Sequence, residues 1–352
     1  MTQQSSTPGA LFLPPEIEST IRSAIDLADR ILCISHVSPD GDAIGSLLGM
    51  GWILRHLGKQ PTLALADKPS KDFGFIPGFD QIIGASDVAD AYDLIICLDA
   101  GSQDRMGSVY RPAVHASIPL LNIDHHITNT RFGSLDWVEA RCAAVCQMLV
   151  YLADALGAPL DDNLAVALLT GLITDTLCFR TSSTDAYVLQ AAVRLTDGGA
   201  SIQEIVAHTL QSRSYTSLRL WGLILSTAQV EDGVIWAKYP LSQRQQIGAE
   251  DRDAEGLANF LLSAQEADIS ATFSERIDKS GKTVIECSFR AKPGFNVSAV
   301  ALALGGGGHA PAAGCTLTGP LERVADEVVA ALRSARQAHL AAVTSNGNAG
   351  RG

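Results

Sequence analysis

The sequence has no long apolar run and no leader segment, and each absence excludes a class of protein. None of its apolar runs reaches the roughly 18–20 residues that a helix needs to cross a bilayer. The opening residues, MTQQSSTPGA, lack the basic and apolar regions of a secretory signal. We therefore expect a cytoplasmic protein with no membrane partner.

Cysteine pairing is also missing. The seven cysteines are an odd number and contain no CxxC pair. Cys142 and Cys146 lie four residues apart on a predicted helix, but no second Cys/His pair completes a zinc site. Most of the cysteines are therefore expected to be small buried side chains in a reducing compartment.

The chain has too few basic residues to bind a long polyanion such as a nucleic acid. The chain has 26 Lys and Arg against 38 Asp and Glu, which gives a formal net charge of −12. Proteins that bind long nucleic acids neutralise phosphates with a basic surface, and no Lys/Arg run occurs here. We expect no long nucleic acid as a partner. An anionic substrate should be small and met by metal ions or a few basic side chains.

What is present is a globular composition with strands and helices that alternate in the first half. The 352 residues suffice for two domains of ordinary size. Helices are predicted at 42–58, with Asp42 as a cap, and at about 140–157 and 161–174. Near-continuous apolar runs are typical of parallel strands buried on both faces. These runs are RILCIS (30–35), PTLALA (61–66), DLIICLD (93–99) and PLLNID (119–124). The pattern predicts a doubly wound α/β domain with a mainly parallel sheet.

The second half predicts a smaller α+β domain. The segments GVIWAKYP, ADISATFSERID, KTVIECSFRA and AGCTLTG are typical of strands, and a long helix is predicted from Pro320. The predicted division is a disordered tail at 1–15, the α/β domain at 16–195, a helical linker at 196–228, the C-terminal domain at 229–343 and a disordered tail at 344–352.

Four segments of the first domain deliver polar side chains where open α/β sheets bind ligands, beyond the carboxyl ends of the strands. These side chains are His36, Asp40 and Asp42 after the first strand, Asp99 after the third, Asp124, His125 and His126 after the fourth, and Asp175 at the end of a helix. Each alone has an ordinary interpretation, such as a helix cap for Asp42 or a loop histidine for His36. No such interpretation explains why they converge, because carboxylates brought together repel each other.

Cations would remove this repulsion. Two divalent ions would neutralise the four charges of Asp40, Asp42, Asp99 and Asp175, and His36 and His125 would each supply one nitrogen. Carboxylates mixed with imidazoles and no thiolate favour Mn²⁺, while Mg²⁺, Co²⁺ and Fe²⁺ are also compatible. Such paired ions activate water for attack on a phosphoryl group.

These residues also carry a resemblance to a known family. The ordered motifs HVSPDGDAIGS, LDAGSQDRMG, NIDHH and GLITDT resemble the four motifs of the DHH phosphoesterase family. GGGGHAPAAG (305–314) resembles the glycine-histidine signature of that family's associated C-terminal domain. The resemblance extends from about Ile17 to Leu340. Within the family, the layout is similar to that of bacterial oligoribonucleases that also hydrolyse 3′-phosphoadenosine 5′-phosphate (pAp).

The resemblance implies a role for each polar residue. The ligands that it implies are His36, Asp40 and Asp99 for one metal and Asp42, Asp99, His125 and Asp175 for the other. Asp99 would then bridge the two ions. His126 would touch the scissile phosphate or assist the leaving oxygen, and Asp124 would orient an imidazole.

A substrate-binding site is predicted in the C-terminal domain. The glycine run, with Gly306, Gly307 and Gly308, lets backbone amides approach a nucleotide, and His309 can donate to a phosphate. Strand alternation directs Arg290 away from the apolar face and toward an interdomain cleft. Arg105 is a further candidate, after the third strand. The chain departs from the family at two places: Ala310-Pro311 replaces a common basic residue, and Leu177-Cys178 follows GLITDT where glycine is common.

The predicted function is hydrolysis of short oligoribonucleotides and pAp by a metal-activated water. A phosphodiesterase for cyclic dinucleotides such as c-di-AMP, or for linear dinucleotides, is the nearest alternative. The GGGGH motif disfavours an inorganic pyrophosphatase, and the acidic charge disfavours a processive exonuclease. A non-catalytic nucleotide sensor is disfavoured because all six ligand positions are filled. The sequence does not determine the oligomeric state and is compatible with a homodimer.

Overall fold

The structure is a computed structural model that describes residues 11–278 and 280–349. The chain divides between Ser212 and Arg213 into two compact units, which we call the N-terminal and C-terminal units. Among the described residues, none of the helices combines the length and the apolar character that a membrane crossing requires.

The N-terminal unit is built on a six-stranded parallel sheet with the order β3-β2-β1-β4-β5-β6. Its strands are β1 (Ile31–Ile34), β2 (Thr62–Leu65), β3 (Ile83–Gly84), β4 (Leu94–Leu98), β5 (Leu120–Asp124) and β6 (Leu135–Val138). The direction of winding reverses between β1 and β4, which creates a crevice at the carboxyl ends of these strands. The predicted doubly wound, mainly parallel fold is confirmed.

Helices cover the sheet of this unit. They are α1 (Pro15–Leu27), α2 (Gly41–His56), α3 (Pro112–His115), α4 (Val145–Leu156), α5 (Asp162–Asp175), α6 (Ala186–Asp197) and α7 (Ile202–Thr209). A Cβ on Gly45 would lie 2.5 Å from the carbonyl oxygen of Ala167, so glycine allows α2 and α5 to pack closely. The prediction that Asp42 caps α2 is wrong. Asp40 is the N-cap, because its Oδ1 accepts the amides of Asp42 (3.1 Å) and Ala43 (3.0 Å).

The C-terminal unit contains a second six-stranded sheet with the order β11-β12-β10-β9-β8-β7, antiparallel except for the β8–β9 pair. Its strands are β7 (Gln229–Glu231), β8 (Val234–Tyr239), β9 (Ile269–Ile277), β10 (Thr283–Ala291), β11 (Gly307–His309) and β12 (Ala312–Leu317). Its helices are α8 (Tyr215–Leu225), α9 (Leu241–Ile247), α10 (Leu257–Leu261), α11 (Ser298–Ala303) and α12 (Leu321–Ala349). The β10 side chains alternate as the sequence predicts, with Ile285, Cys287 and Phe289 buried.

Each predicted tail includes residues that belong to the folded structure. Residues 1–10 and 350–352 lie outside the described residues. Residues 11–15 do not form a tail, because Phe12 is only 3% exposed and its ring stacks on Tyr151 at 5.1 Å. At the other end, α12 continues through 344–349, although helix propensity does not favour this segment, which contains Gly347. The predicted linker, 196–228, contains α7, α8 and the boundary between the two units.

Phe12→Ala should destabilise the N-terminal unit by about 3 kcal/mol, because it removes a buried aromatic ring. The ring also contacts Tyr187 edge-on and the Arg141 guanidinium. Urea denaturation of the full chain measures the change. The control is Leu11→Ala, whose side chain is 40% exposed and should change the stability by less than about 0.5 kcal/mol. Equal effects of the two variants would contradict the anchoring role of Phe12.

Candidate metal centre

The carboxyl edge of the N-terminal sheet gathers side chains from three strand ends and one helix end. Asp99, directly after β4, lies between two imidazoles. Its Oδ2 is 3.4 Å from His36 Nε2, and its Oδ1 is 3.5 Å from His125 Nε2. His125 Nε2 also lies 3.4 Å from Oδ2 of Asp175, the last residue of α5. The sequence segments that were predicted to converge therefore do so in the structure.

The six predicted ligands fall into two groups. In each group, one ligand atom per residue lies within 4.8 Å of the others. One group is His36, Asp40 and Asp99, and the other is Asp42, His125 and Asp175. Asp99 also groups with His125 and His126. Asp99 therefore lies close to both groups, which is the position that the resemblance implies for a bridging ligand.

Asp99 has an unusual backbone and an unsatisfied side chain. Its φ is +59°, in the left-handed region, and its N–H donates to the carbonyl of Ile123 at 3.0 Å. The residue is only 2% exposed, yet Oδ1 has no hydrogen-bond partner among the described residues. A buried carboxylate oxygen without a donor is costly unless a cation meets it, so this atom fits a metal site.

Asp42 is held by the start of a helix. Its two oxygens accept the amides of Val145 at 2.6 Å and Cys146 at 2.9 Å, at the N-terminus of α4. Burial and the charge of Asp99 nevertheless raise the pKa of Asp42 well above its usual value. Burial and the charges of Asp42 and Asp99 raise the pKa of Asp175 in the same way. Divalent cations would relieve this crowding, and the mixed carboxylate and imidazole donors suit Mn²⁺.

His36 is held on the side away from Asp99. Its Nδ1 lies 2.8 Å from the carbonyl oxygen of Val37 and 3.0 Å from Nη2 of Arg105. Burial opposes protonation of His36, but the carboxylates of Asp40 and Asp99 outweigh it and raise the pKa to about 10. The structure thus brings Arg105, a predicted substrate-binding residue, against a predicted metal ligand.

His126 is hydrogen-bonded to Asp124 and also lies near Asp99, whose Oδ1 is 3.6 Å from His126 Nδ1. Its Nδ1 lies 2.8 Å from Asp124 Oδ1. The His126 side chain is 47% exposed, whereas that of Asp124 is fully buried. Burial would raise the pKa of Asp124, but the hydrogen bonds of His126 and Asn129 outweigh it and lower the pKa. The sequence predicts an imidazole partner for Asp124, and in the structure that partner is His126.

Asn129 is a site residue that the sequence reasoning missed. Its Nδ2 donates to Asp124 Oδ2 at 2.6 Å. The signal for it was a polar residue in the turn that follows NIDHH, but turns are rich in asparagine for reasons of backbone conformation alone.

Comparison with known proteins identifies the family to which the two domains of this chain are similar. The model of the DHH family, N-terminal domain, matches residues 30–172, and the model of the DHHA1 domain matches residues 234–338. The bifunctional oligoribonuclease and PAP phosphatase NrnA of Thermus thermophilus is 33% identical, over 86% of this chain and 89% of its own. The chain belongs to the DHH family. As a DHH phosphoesterase, it is a metal-dependent hydrolase.

Two further relatives agree with this assignment. The protein of the same name from Bacillus subtilis is 26% identical, over 90% of this chain and 97% of its own. A crystal structure of an exopolyphosphatase-related protein from Bacteroides fragilis has a TM-score of 0.83, with 24% identity, over 91% of this chain and 96% of that one. The latter shows that the DHH fold is shared.

The DHHA1 domain brings two predicted substrate-binding residues onto one face of its sheet. Ala312 on β12 pairs with His309 on β11 and with Arg290 on β10. Directly paired residues of antiparallel strands point to the same face, so His309 and Arg290 flank the small side chain of Ala312. Two strand spacings separate their backbones by about 10 Å.

The glycine run of the DHHA1 domain is not a free loop. Gly307–His309 form the edge strand β11, and a Cβ on Gly306 would clash with the carbonyl oxygen of Gly314. Gly308 has a φ of +134°. The fold therefore requires glycine at 306 and 308. At Gly307 a Cβ would meet nothing within 4 Å, so packing within the chain does not explain glycine there.

Single substitutions should separate the two ligand groups. Purified protein stripped by chelator and reloaded should bind two Mn²⁺ ions. Asp40→Ala and Asp175→Ala should each weaken one ion, whereas Asp99→Ala should weaken both and leave below roughly a tenth of the activity. Isothermal titration calorimetry counts the ions.

The matched control is Asp104→Ala, an exposed aspartate five residues beyond Asp99, which should leave both ions bound. Retention of both ions by Asp99→Ala would refute the shared position of Asp99.

Proposed function

We propose that this protein hydrolyses very short oligoribonucleotides and pAp with two bound divalent ions, Mn²⁺ first among them. The observation that carries the proposal is the position of Asp99 near both ligand groups, with its Oδ2 3.4 Å from His36 Nε2 and its Oδ1 3.5 Å from His125 Nε2. The T. thermophilus relative, named for both activities, covers 86% of this chain and supports the choice of substrate.

Two divalent ions at this edge would supply an activated water and would offset the charge of a phosphoryl group. His36, Asp40 and Asp99 would hold one ion, and Asp42, Asp99, His125 and Asp175 would hold the other. His126 keeps its Nδ1 on Asp124, which leaves Nε2 for the scissile phosphate or the leaving oxygen. The Arg105 guanidinium would bind a phosphate oxygen of the substrate.

The DHHA1 domain would recognise the nucleotide. His309 is exposed and Arg290 is half-buried, and the small residues Ala312 and Gly307 near them leave space for a ligand. Burial lowers the pKa of Arg290, but a guanidinium keeps its charge at neutral pH. We assign catalysis to the domain at 16–195 and substrate binding to the domain at 229–343. The helical linker at 196–228 connects the two.

The net charge of −12 supports short substrates over long nucleic acids. Phosphates of a longer strand would meet an acidic surface, screened beyond about 8–10 Å at ordinary ionic strength. The seven cysteines are all free thiols, which supports the cytoplasm as the location.

A panel of substrates tests the proposal under Mn²⁺. The values of kcat/KM for pAp, a dinucleotide and a pentanucleotide should exceed those for a 20-mer, c-di-AMP and pyrophosphate. The 20-mer should improve relative to the dinucleotide as salt is raised, because salt screens the repulsion. A 20-mer degraded as well as a dinucleotide at low salt would indicate an exonuclease instead. A preference for c-di-AMP would indicate a cyclic-dinucleotide phosphodiesterase, and binding without turnover a sensor.

A second prediction concerns Gly307. Gly307→Leu should keep the fold and both ions but raise KM for pAp at least about tenfold, because the new side chain occupies open space beside His309. His309→Ala should raise KM in the same direction by the loss of a phosphate donor. Hydrolysis of bis(p-nitrophenyl) phosphate should change by less than about twofold in both variants.

Gly222→Leu is the matched control, since a Cβ there also meets nothing within 4 Å and the residue lies exposed on α8. Equal losses on pAp and on the generic ester would show that these residues do not recognise the nucleotide.

A further inference from the structure

β5 contains a polar residue that its position in the sheet does not favour. Asn122 is fully buried in the middle of a strand whose neighbours in sequence are Leu121 and Ile123. Its Oδ1 has no hydrogen-bond partner among the described residues. A buried amide oxygen without a donor costs about 1–3 kcal/mol, so stability alone favours an apolar residue here.

The other end of the Asn122 amide enters a chain of hydrogen bonds. Its Nδ2 donates to Asp136 Oδ1 on β6 at 2.8 Å and to Asn129 Oδ1 at 3.2 Å. Asn129 in turn donates from Nδ2 to Asp124 Oδ2 at 2.6 Å. The chain then ends at His126, whose Nδ1 lies 2.8 Å from Asp124 Oδ1.

Asn129 makes all four hydrogen bonds that its side-chain amide allows. Oδ1 accepts from the amide of Arg131 at 2.6 Å and from Asn122, and Nδ2 donates to Asp124 and to the carbonyl of Ala100 at 3.1 Å. Ala100 follows the strained Asp99 directly. Asn129 therefore ties the turn after β5 to the end of β4, and its orientation is fixed by its partners.

We propose that Asn129, braced by Asn122, is a positioning residue that fixes Asp124 and through it the ring of His126 during phosphate-ester hydrolysis. With Asn129 on one oxygen of Asp124, the other oxygen is left to accept His126 Nδ1–H. The proton of the neutral imidazole then stays on Nδ1, and Nε2 is directed to the substrate. This inference rests on the proposed role of His126.

The test is a double-mutant cycle on the Mn²⁺-loaded protein with bis(p-nitrophenyl) phosphate, which needs no nucleotide recognition. Asn129→Ala should lower kcat about ten- to a hundredfold, with KM within about threefold and two ions retained. The pair His126→Ala/Asn129→Ala should be no more than about threefold slower than His126→Ala alone, because Asn129 acts through His126. A general structural role would give additive losses, which would overturn the proposal.

A second variant guards against misfolding of the first. Asn122→Leu removes the buried amide and leaves the Oδ1 atoms of Asp136 and Asn129 each with one backbone donor, Gly133 and Arg131 respectively. Its thermal midpoint should equal or exceed that of the wild type, while kcat should fall a fewfold. An unchanged kcat in both Asn122→Leu and Asn129→Ala would overturn the proposal. The control Asn163→Ala, an exposed asparagine on α5, should behave as the wild type.

A measurement without turnover keeps this inference separate from the proposed function. In ¹⁵N-histidine NMR spectra of the Mg²⁺-loaded protein, His126 should carry its proton on Nδ1 and should populate both tautomers in Asn129→Ala. Identical spectra would refute the positioning role. Inactivity toward nucleotides with normal spectra would refute only the substrate assignment.

Discussion

The repulsion among buried carboxylates is the constraint on which this site depends. Asp42 and Asp99 are almost completely buried, and Asp175 lies in one group of ligand atoms with Asp42 and His125. Burial and mutual charge raise the pKa of Asp42 and Asp175, so their ionised forms are disfavoured unless cations lie beside them. The fold therefore maintains an arrangement that is unfavourable by itself and that bound divalent ions would make favourable.

The surrounding backbone offsets part of this cost. The N-terminus of α4 donates two amides to Asp42, and Asp40 accepts two amides as the N-cap of α2. Each carboxylate is thus oriented by a helix that packs against the sheet, so the ligand positions are set by rigid elements. His126 is oriented in a similar way: the buried Asp124 accepts a hydrogen bond from its ring, which is half exposed.

The convergence of the candidate ligands could be predicted from the sequence because it depends on regular features of the fold. Buried parallel strands end at one edge of a sheet, and residues that follow them must meet there. The role of Asn129 could not be predicted, since its four hydrogen bonds join residues from three different segments. Phe12 was missed for a related reason. A single aromatic residue near a polar end carries no periodicity, and only its packing on Tyr151 shows that it belongs to the core.

The turn after Asp175 shows how a departure from the family pattern is accommodated. Leu177, Cys178 and Phe179 all have positive φ, between 47° and 63°, where glycine is free and other residues lose about 1–2 kcal/mol each. Local hydrogen bonds offset this strain: the Cys178 amide donates to Ile173, and the Phe179 amide donates to the hydroxyl of Thr176. Leu177 is 45% exposed, so burial of its side chain does not account for the conformation. The turn that follows Asp175 is therefore held by hydrogen bonds of its backbone and of Thr176, and the side chain at 177 does not determine it.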